Sequence, residues 1–525
     1  MLADNYIMEK DNMEDYTNKF SEKKIYEIND NNGANYSNGH IKYQLSQLFN
    51  LNSVMNFKEG LLIIPFILNF KISGAAASLT AEDMRRLVSI KSGSLISGLR
   101  LRINGKTVVS YDSNLNEIME FNFLTSCYSG NTNEWNRSMN CLLEDKYLTY
   151  NTNDTELIQY QKYYNNKSLS NSLINDIEIE NNKLLLTRDG VYESLNDINN
   201  AVMEKQNYVE TPVSNSTNIK YFVAIKLSQI HDVFEKMGIS RSFVDFELDC
   251  NVGKSEVSCS VVAPATKAIF NLNETVKTQS HTFNGATSSI YFNLDGVERK
   301  DVTKVWWDNA IQTAKTVKFE ATLSIDNTAG TKLYMPVYKI KPEYNELYIK
   351  DAVRTIKYND YLYYNLNNIT AGSAVNFTIS NAVSNLKYLL MVPQLTKNKL
   401  NCLNQSILAN GPIPLSNLQL QKGSAVFNQP LVYNYDMFLN YIENNNNMNG
   451  GKDWINNLFN FNNFNKLYRL YFFDLTLVNN QKDVAYNLTV QFVNKCKLAI
   501  NVDFYVFEEK ELIFNKINGV IGDVQ

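Results

Sequence analysis

In two stretches of the chain apolar and polar residues alternate with a period of two, the pattern of strands with one buried and one wet face. The clearest case is residues 95–111. Leu99, Leu101 and Ile103 alternate with Arg100 and Arg102, and Asn104-Gly105 separates them from a second apolar run at 107–111. Asn-Gly supplies the two positive-φ positions of a type I′ turn, so the pattern predicts a tight hairpin. Residues 242–250 alternate as well: Phe243, Asp245, Glu247 and Asp249 fall on one face, and Val244, Phe246, Leu248 and Cys250 on the other.

Further strands are predicted at 61–72, 221–227 and 266–272. In the second half they fall at 317–325 and 332–340 (around a Thr-Ala-Gly turn), 354–358, 375–379, 387–392, 467–475, 485–492 and 502–507. Pro65 inside the first of these predicts an edge or a bulge, because proline cannot donate to a ladder. Short helices are expected after Thr80, over 228–237 and over 435–442. Many short strands with regular turns predict a mainly β chain of sandwich or barrel architecture.

Two stretches break the pattern. Residues 1–45 combine charge, Asn and Gly with little periodicity and are expected to form a flexible arm. Residues 142–218 are polar, rich in Asn and only weakly periodic. A segment of that kind inside a β domain is expected to be an elaborated outward loop. Tyr160, Tyr163, Tyr164 and Tyr192 would give it contact area for a partner. The expected organisation is an arm at 1–45, a first barrel at 46–275 carrying the insertion, and a second barrel at 276–525.

Composition supports this and narrows function. The 525 residues exceed one ordinary core; they are 44% hydrophobic and 20% charged, with 32 Tyr and 27 Phe, a bias toward pleated half-buried surfaces. The net charge of −4 argues against a strongly basic nucleic-acid face, so no sequence-specific nucleic-acid partner is expected. The start of the chain lacks a basic region followed by an apolar core, and the apolar run at 61–70 is too short to span a bilayer. Cytosolic synthesis without a transmembrane segment is therefore expected. Cys127, Cys141, Cys250, Cys259, Cys402 and Cys496 form no CxxC pair and are expected as buried thiols.

Candidate chemistry is sparse. His40, His231 and His281 have no nucleophile or carboxylate pattern around them; each is expected to be an ordinary or hydrogen-bonded histidine, and His231 and His281 to be dispensable. No phosphate loop, HExxH or EF-hand is present, so no catalytic residue, cofactor site or metal site is assigned. Asp245, Glu247 and Asp249 are the best metal candidates, although a solvated or subunit-facing edge explains them more simply. Trp306-Trp307 suits a packing anchor better than a sugar platform. Sequons such as Asn136-Arg137-Ser138, Asn368-Ile369-Thr370 and Asn487-Leu488-Thr489 are expected to stay unmodified in a chain made without export.

The order of segments resembles the double jelly-roll major capsid proteins of eukaryotic small DNA viruses, the group of virophages, Polinton-like viruses and adintoviruses. The resemblance is carried by 97–108, by the succession 221–227, 230–237 and 243–250, then by 332–338, 356–358 and 387–393. It ends with 435–441, Trp454, 468–474 and 504–509, and covers most of 46–525. It implies two consecutive jelly-roll barrels, no enzymatic activity and a virion location. It also implies a homotrimer with a pseudo-hexagonal footprint that tiles an icosahedral shell beside neighbouring capsomers. Penton or minor capsid proteins and a host receptor are further implied partners. The alternative from the residues is a β-sandwich carbohydrate-binding or adhesin protein.

Overall fold

The computed structural model describes residues 19–33, 35–48, 53–73, 88–90, 95–111, 113–126, 145–149, 184–188, 207–209, 216–261, 276–284, 290–292, 315–345, 353–383, 386–396, 413–423, 425–427, 433–443, 468–476, 486–496, 499–515 and 521–524, with the single positions Leu408, Phe461 and Phe464. The expected helix after Thr80, the strand at 266–272 and most of 142–218 lie outside them. Within 142–218 the described pieces are the antiparallel pair Asp145–Thr149 with Leu184–Arg188, the strand Asn207–Val209 and the start of the strand at 216.

Eight strands build the first barrel: β1 (Phe20–Asn29), β2 (His40–Gln44), β3 (Leu61–Ser73), β4 (Ile96–Ile103), β5 (Lys106–Tyr111), β6 (Ser216–Lys226), β7 (Val244–Cys250) and β8 (Lys332–Ile340). One sheet runs β1-β8-β3-β6 and the other β2-β7-β4-β5, all antiparallel. Eight more build the second: β9 (Val353–Ile369), β10 (Ala374–Val383), β11 (Leu386–Leu395), β12 (Leu415–Lys422), β13 (Ala425–Val426), β14 (Tyr471–Asp474), β15 (Tyr486–Asn494) and β16 (Ile500–Asn515). Its sheets run β9-β16-β11-β14 and β10-β15-β12-β13. Numbered within its own barrel, each half therefore reads 1-8-3-6 over 2-7-4-5. Two four-stranded sheets so interleaved are a jelly roll, and the chain makes it twice.

Between β7 and β8 the chain inserts Gly253–Val261, Val276–Asn284 and Lys315–Ile325, which extend the first sheet by pairing with β3 and with one another. Strands 315–340, expected in the second barrel, thus pair with the first half; the sheets separate between Ile340 and Val353 instead of at 275/276. The sequence could not show this because an antiparallel partner may lie any distance away along the chain.

The expected flexible arm at 1–45 is corrected from residue 19 onward, and residues 1–18 lie outside the described residues. β1 pairs with the whole of β8, and β2 pairs with β7. Ile41 and Tyr43 are fully buried. Asp30 accepts from the Thr331 hydroxyl at 2.9 Å and from the Tyr36 hydroxyl, while the Tyr43 hydroxyl donates to Thr331 at 2.8 Å. Gly39 turns the chain between these strands. Its φ is +71°, and a Cβ there would lie 2.3 Å from the carbonyl oxygen of Cys250, so only glycine fits.

Pro65 is neither at an edge nor in a bulge: β3 pairs with β6 on one side throughout. Its carbonyl accepts from the Asp326 N–H at 2.9 Å on the other side, where the chain turns between Ile325 and Lys332. A strand residue's N–H and C=O point the same way, so the missing donor falls at a gap in the ladder.

The predicted hairpin holds, with Asn104 at φ 51° and Gly105 at φ 78°. The expected helix over 228–237 is two short helices, α2 (Leu227–Ile230) and α3 (Asp232–Met237), broken at His231. The expected helix near 435 is α4 (Tyr435–Glu443), and a further helix, α1 (Leu115–Ser126), lies where none was expected. α1 is buried nearly all round, so no apolar stripe marks it. A single buried hydrophobic cluster runs from Ile28 to Leu512 and joins the two barrels.

Candidate functional site

The polar groups that converge do so in the seam between the barrels. Its floor is the end of β9 and β16, where Arg354, Ile356, Tyr358 and Asp360 alternate on one strand opposite Leu512, Lys510 and Glu508 on the other. Its roof is β5, α1 and α3 of the first barrel. Arg354 reaches the C-terminal end of α3 and donates to the carbonyls of Lys236 (3.1 Å), Met237 (3.0 Å) and Ile239 (3.3 Å). At the other end of α3, Asp232 accepts the backbone N–H of Asn359 at 2.9 Å. The Tyr358 hydroxyl donates to the Val108 carbonyl at 3.2 Å, and the Tyr111 and Tyr361 rings stack 4.2 Å apart.

His231 stands at the centre. Its Nδ1 accepts the Val233 N–H at 3.2 Å, capping α3. That leaves the proton on Nε2, which donates to the Tyr111 hydroxyl at 2.9 Å. Tyr111 donates in turn to Asp360, whose second oxygen accepts from Lys510. Burial, with a smaller push from Lys510, lowers the His231 pKa to about 3. Geometry acts in the same sense, because protonating Nδ1 would set two donors against each other. Burial also raises the Asp232 and Glu508 carboxyls, opposed by the Asn359 N–H and by Lys510 respectively. Burial alone would lower Lys510, yet Asp360 and Glu508 hold it above the usual lysine range. A second buried pair, Tyr505 with Glu117 of α1, closes the seam beside the stacked Phe121 and Phe472 rings. This is a neutral-to-paired network that locks two domains. It offers no exposed nucleophile and no base poised near neutral pH.

The acidic stripe lies elsewhere and is not an edge: β7 is flanked by β2 and β4. Glu247 pairs with Lys42 (3.1 Å) and Arg100 (3.4 Å), and Asp249 with His40 Nδ1 (2.8 Å). Burial pushes Glu247 up, but Lys42, with Arg102 and His40, outweighs it and holds the carboxyl below its usual range. Cations of neighbouring strands occupy the positions a bound metal would fill, and among the described residues no group of three His, Cys, Asp or Glu is arranged to hold one. The signal was available in sequence, since Arg100 and Arg102 share the period and the wet face of the acidic strand.

His281 lies in the strand Val276–Asn284. Cys250 is a buried free thiol whose pKa burial pushes up. Trp306, Trp307 and Tyr160, Tyr163, Tyr164 and Tyr192 lie outside the described residues. Apart from His231, the seam residues were missed by sequence reasoning. Their only mark is a charged run, Glu508 to Glu511, inside an otherwise apolar strand. Among the described residues no helix is long and apolar enough to cross a membrane.

No protein-family model and no curated protein matches the sequence. Solved structures do match the fold. A chain of the Sputnik virophage structure determined by cryo-EM aligns with a TM-score of 0.55 at 12% identity, over 96% of this chain and 89% of that one. The mavirus major capsid protein aligns with a TM-score of 0.47 at 15% identity, over 95% and 90%. The faustovirus major capsid protein aligns with a TM-score of 0.44 at 9% identity, over 93% and 90%. Strand order in both halves and the Sputnik alignment along nearly the whole chain agree: this is a double jelly-roll protein, with the fold of the Sputnik virophage chain.

Proposed function

We propose that the chain is the major capsid protein of an icosahedral DNA virus, with jelly rolls at residues 20–340 and 353–524. Three copies form a capsomer with a pseudo-hexagonal footprint, and capsomers tile the virion shell beside penton or minor capsid proteins. The role is structural and not enzymatic, and the chain is made in the host cytosol.

One observation carries this reading. Two barrels of the same strand order lie side by side in one chain, locked by a buried seam. Such a unit presents two near-equivalent bodies, so three units give six, as a hexagonal lattice requires. The seam chemistry supports a rigid unit more than a binding cleft. Light scattering on the purified full chain tests it. The expected mass is that of three chains, with larger shells at high concentration. A monomer at every concentration would sink the proposal.

A further inference from the structure

β9 opens the second barrel and β16 is the last of its eight strands, and their pairing gathers polar groups onto one face in the seam. Directly opposite residues of an antiparallel pair share a face, so Tyr358 with Lys510 and Asp360 with Glu508 all point the same way. Lys510 reaches Asp360 on the diagonal and donates to its Oδ2. The same ammonium pairs with Glu508 at 3.3 Å. The Oδ1 of Asp360 accepts twice, from the Tyr361 N–H at 2.8 Å and from the Tyr111 hydroxyl. Asp360 is buried, the Glu508 and Lys510 side chains are mostly covered, and Ile356, Tyr358 and Leu512 beside them are almost wholly buried.

A plain ion pair needs one carboxylate for one ammonium. Here there are two carboxylates, and two donors converge on the one Asp360 oxygen that the ammonium does not touch. An amine against a carboxyl group, a second carboxylate beside the amine, and donors on the far oxygen are the parts of an amide-forming site. We propose that Lys510 and Asp360 condense to an isopeptide bond, which joins β9 covalently to β16.

The ammonium passes one proton to Oδ2 along the hydrogen bond between them, and the electron pair freed on Nζ attacks Cγ. The electrons of the Cγ–Oδ1 double bond move onto Oδ1, where the Tyr361 N–H and the Tyr111 hydroxyl stabilise the charge. Glu508 takes a second proton from Nζ and hands it to the Oδ2 hydroxyl. The Cγ–Oδ2 bond breaks, water leaves, Oδ1 regains its double bond and Glu508 is a carboxylate again. One C–N bond forms, one C–O bond breaks, and nothing is oxidised or reduced. Separate partners in water would favour hydrolysis, but the fold holds these two in contact, which acts as an effective concentration of about 10⁵ M or more. Asp360 and Glu508 hold Lys510 charged, so the reactive neutral pair is a minor form and the step is slow. It happens once per chain, has no outside substrate, and does not depend on the capsomer reading.

Mass spectrometry on the denatured full-length protein tests it, after the folded protein has been incubated until its mass is constant. Wild type is expected to be one water lighter than its sequence. Its tryptic digest is expected to hold a branched peptide that joins the Asp360 and Lys510 segments. Lys510→Arg keeps the cation and is expected at full sequence mass. Glu508→Gln keeps the shape of the side chain and is expected to lose water roughly a hundredfold more slowly. Circular dichroism confirms that both are folded. Wild type at full sequence mass overturns the proposal. Water loss that persists in Lys510→Arg overturns it too, since it would belong to a succinimide elsewhere in the chain. A wild-type rate in folded Glu508→Gln overturns the role given to Glu508. The branched peptide is read in wild type alone, so a variant that fails to fold leaves the test intact.

Discussion

At the scale of single residues, His231 shows how context outweighs identity. Its sequence surroundings suggest a dispensable ring, yet both its nitrogens are committed, one to the start of α3 and one to Tyr111. His231→Ala removes a helix cap and a buried partner, which should cost about 1–3 kcal/mol in chemical denaturation. The ring also titrates. The folded protein keeps it neutral down to about pH 3, while the unfolded chain charges it near its ordinary value of 6.5. Between these values the unfolded state binds the extra proton. The contribution of His231 is therefore complete above pH 6.5 and falls on acidification by about 1.4 kcal/mol per pH unit. The raised carboxyls of Asp232 and Glu508 act oppositely, taking up protons in the folded state first, so acid relieves their burial. His231→Asn keeps a capping oxygen but cannot titrate. It should show a shallower loss of stability between pH 7 and 5; an unchanged slope would assign the proton to another group.

Among elements, α3 is too short to be stable alone and depends on what holds its ends. Asp232 ties its start to the backbone of β9, and Arg354 of β9 gathers the carbonyls at its end. One guanidinium serves three carbonyls, which makes this strand-to-helix contact a charge-assisted link across the seam. Arg354→Ala should destabilise the protein by about 2–4 kcal/mol and speed amide exchange over 232–240. The β10-β15-β12 sheet should exchange as before. Arg354→Lys should recover only part of the loss, since an ammonium lacks the planar fork. Equal exchange over 232–240 in wild type and Arg354→Ala would show that α3 is held by packing alone. At this scale the sequence was legible where one face is core and the other water, as in the 95–111 hairpin and β7. β9 was read as residues 354–358 but runs to Ile369, because its far half mixes Tyr and Asn without clean alternation.

For the whole molecule, the N-terminal strands decide whether the first barrel exists. β1 pairs with β8, and β2 completes the second sheet, its Tyr43 stacked on Phe246 at 5.2 Å. Burying side chains such as Ile41 and Tyr43 contributes roughly 1.5–3 kcal/mol each, against a typical total margin of about 5–15 kcal/mol. Deleting residues 1–45 should therefore yield insoluble or non-cooperatively unfolding protein, read by soluble yield and by thermal circular dichroism. A truncated chain that melts like wild type would show that β1 and β2 are only appended.

The sequence by itself determined the β class, the tight turn at Asn104-Gly105 and which face of β7 is buried. Each follows from side-chain period or backbone chirality, and these are local properties. Only the tertiary structure decided which strands pair. It drew residues 20–44 and 315–340 into the first barrel, set cations against Glu247 and buried His231, Asp360 and Lys510 together. Those outcomes depend on distant neighbours, such as Ser21 and Lys339, 318 positions apart in the chain, and local pattern carries no record of them.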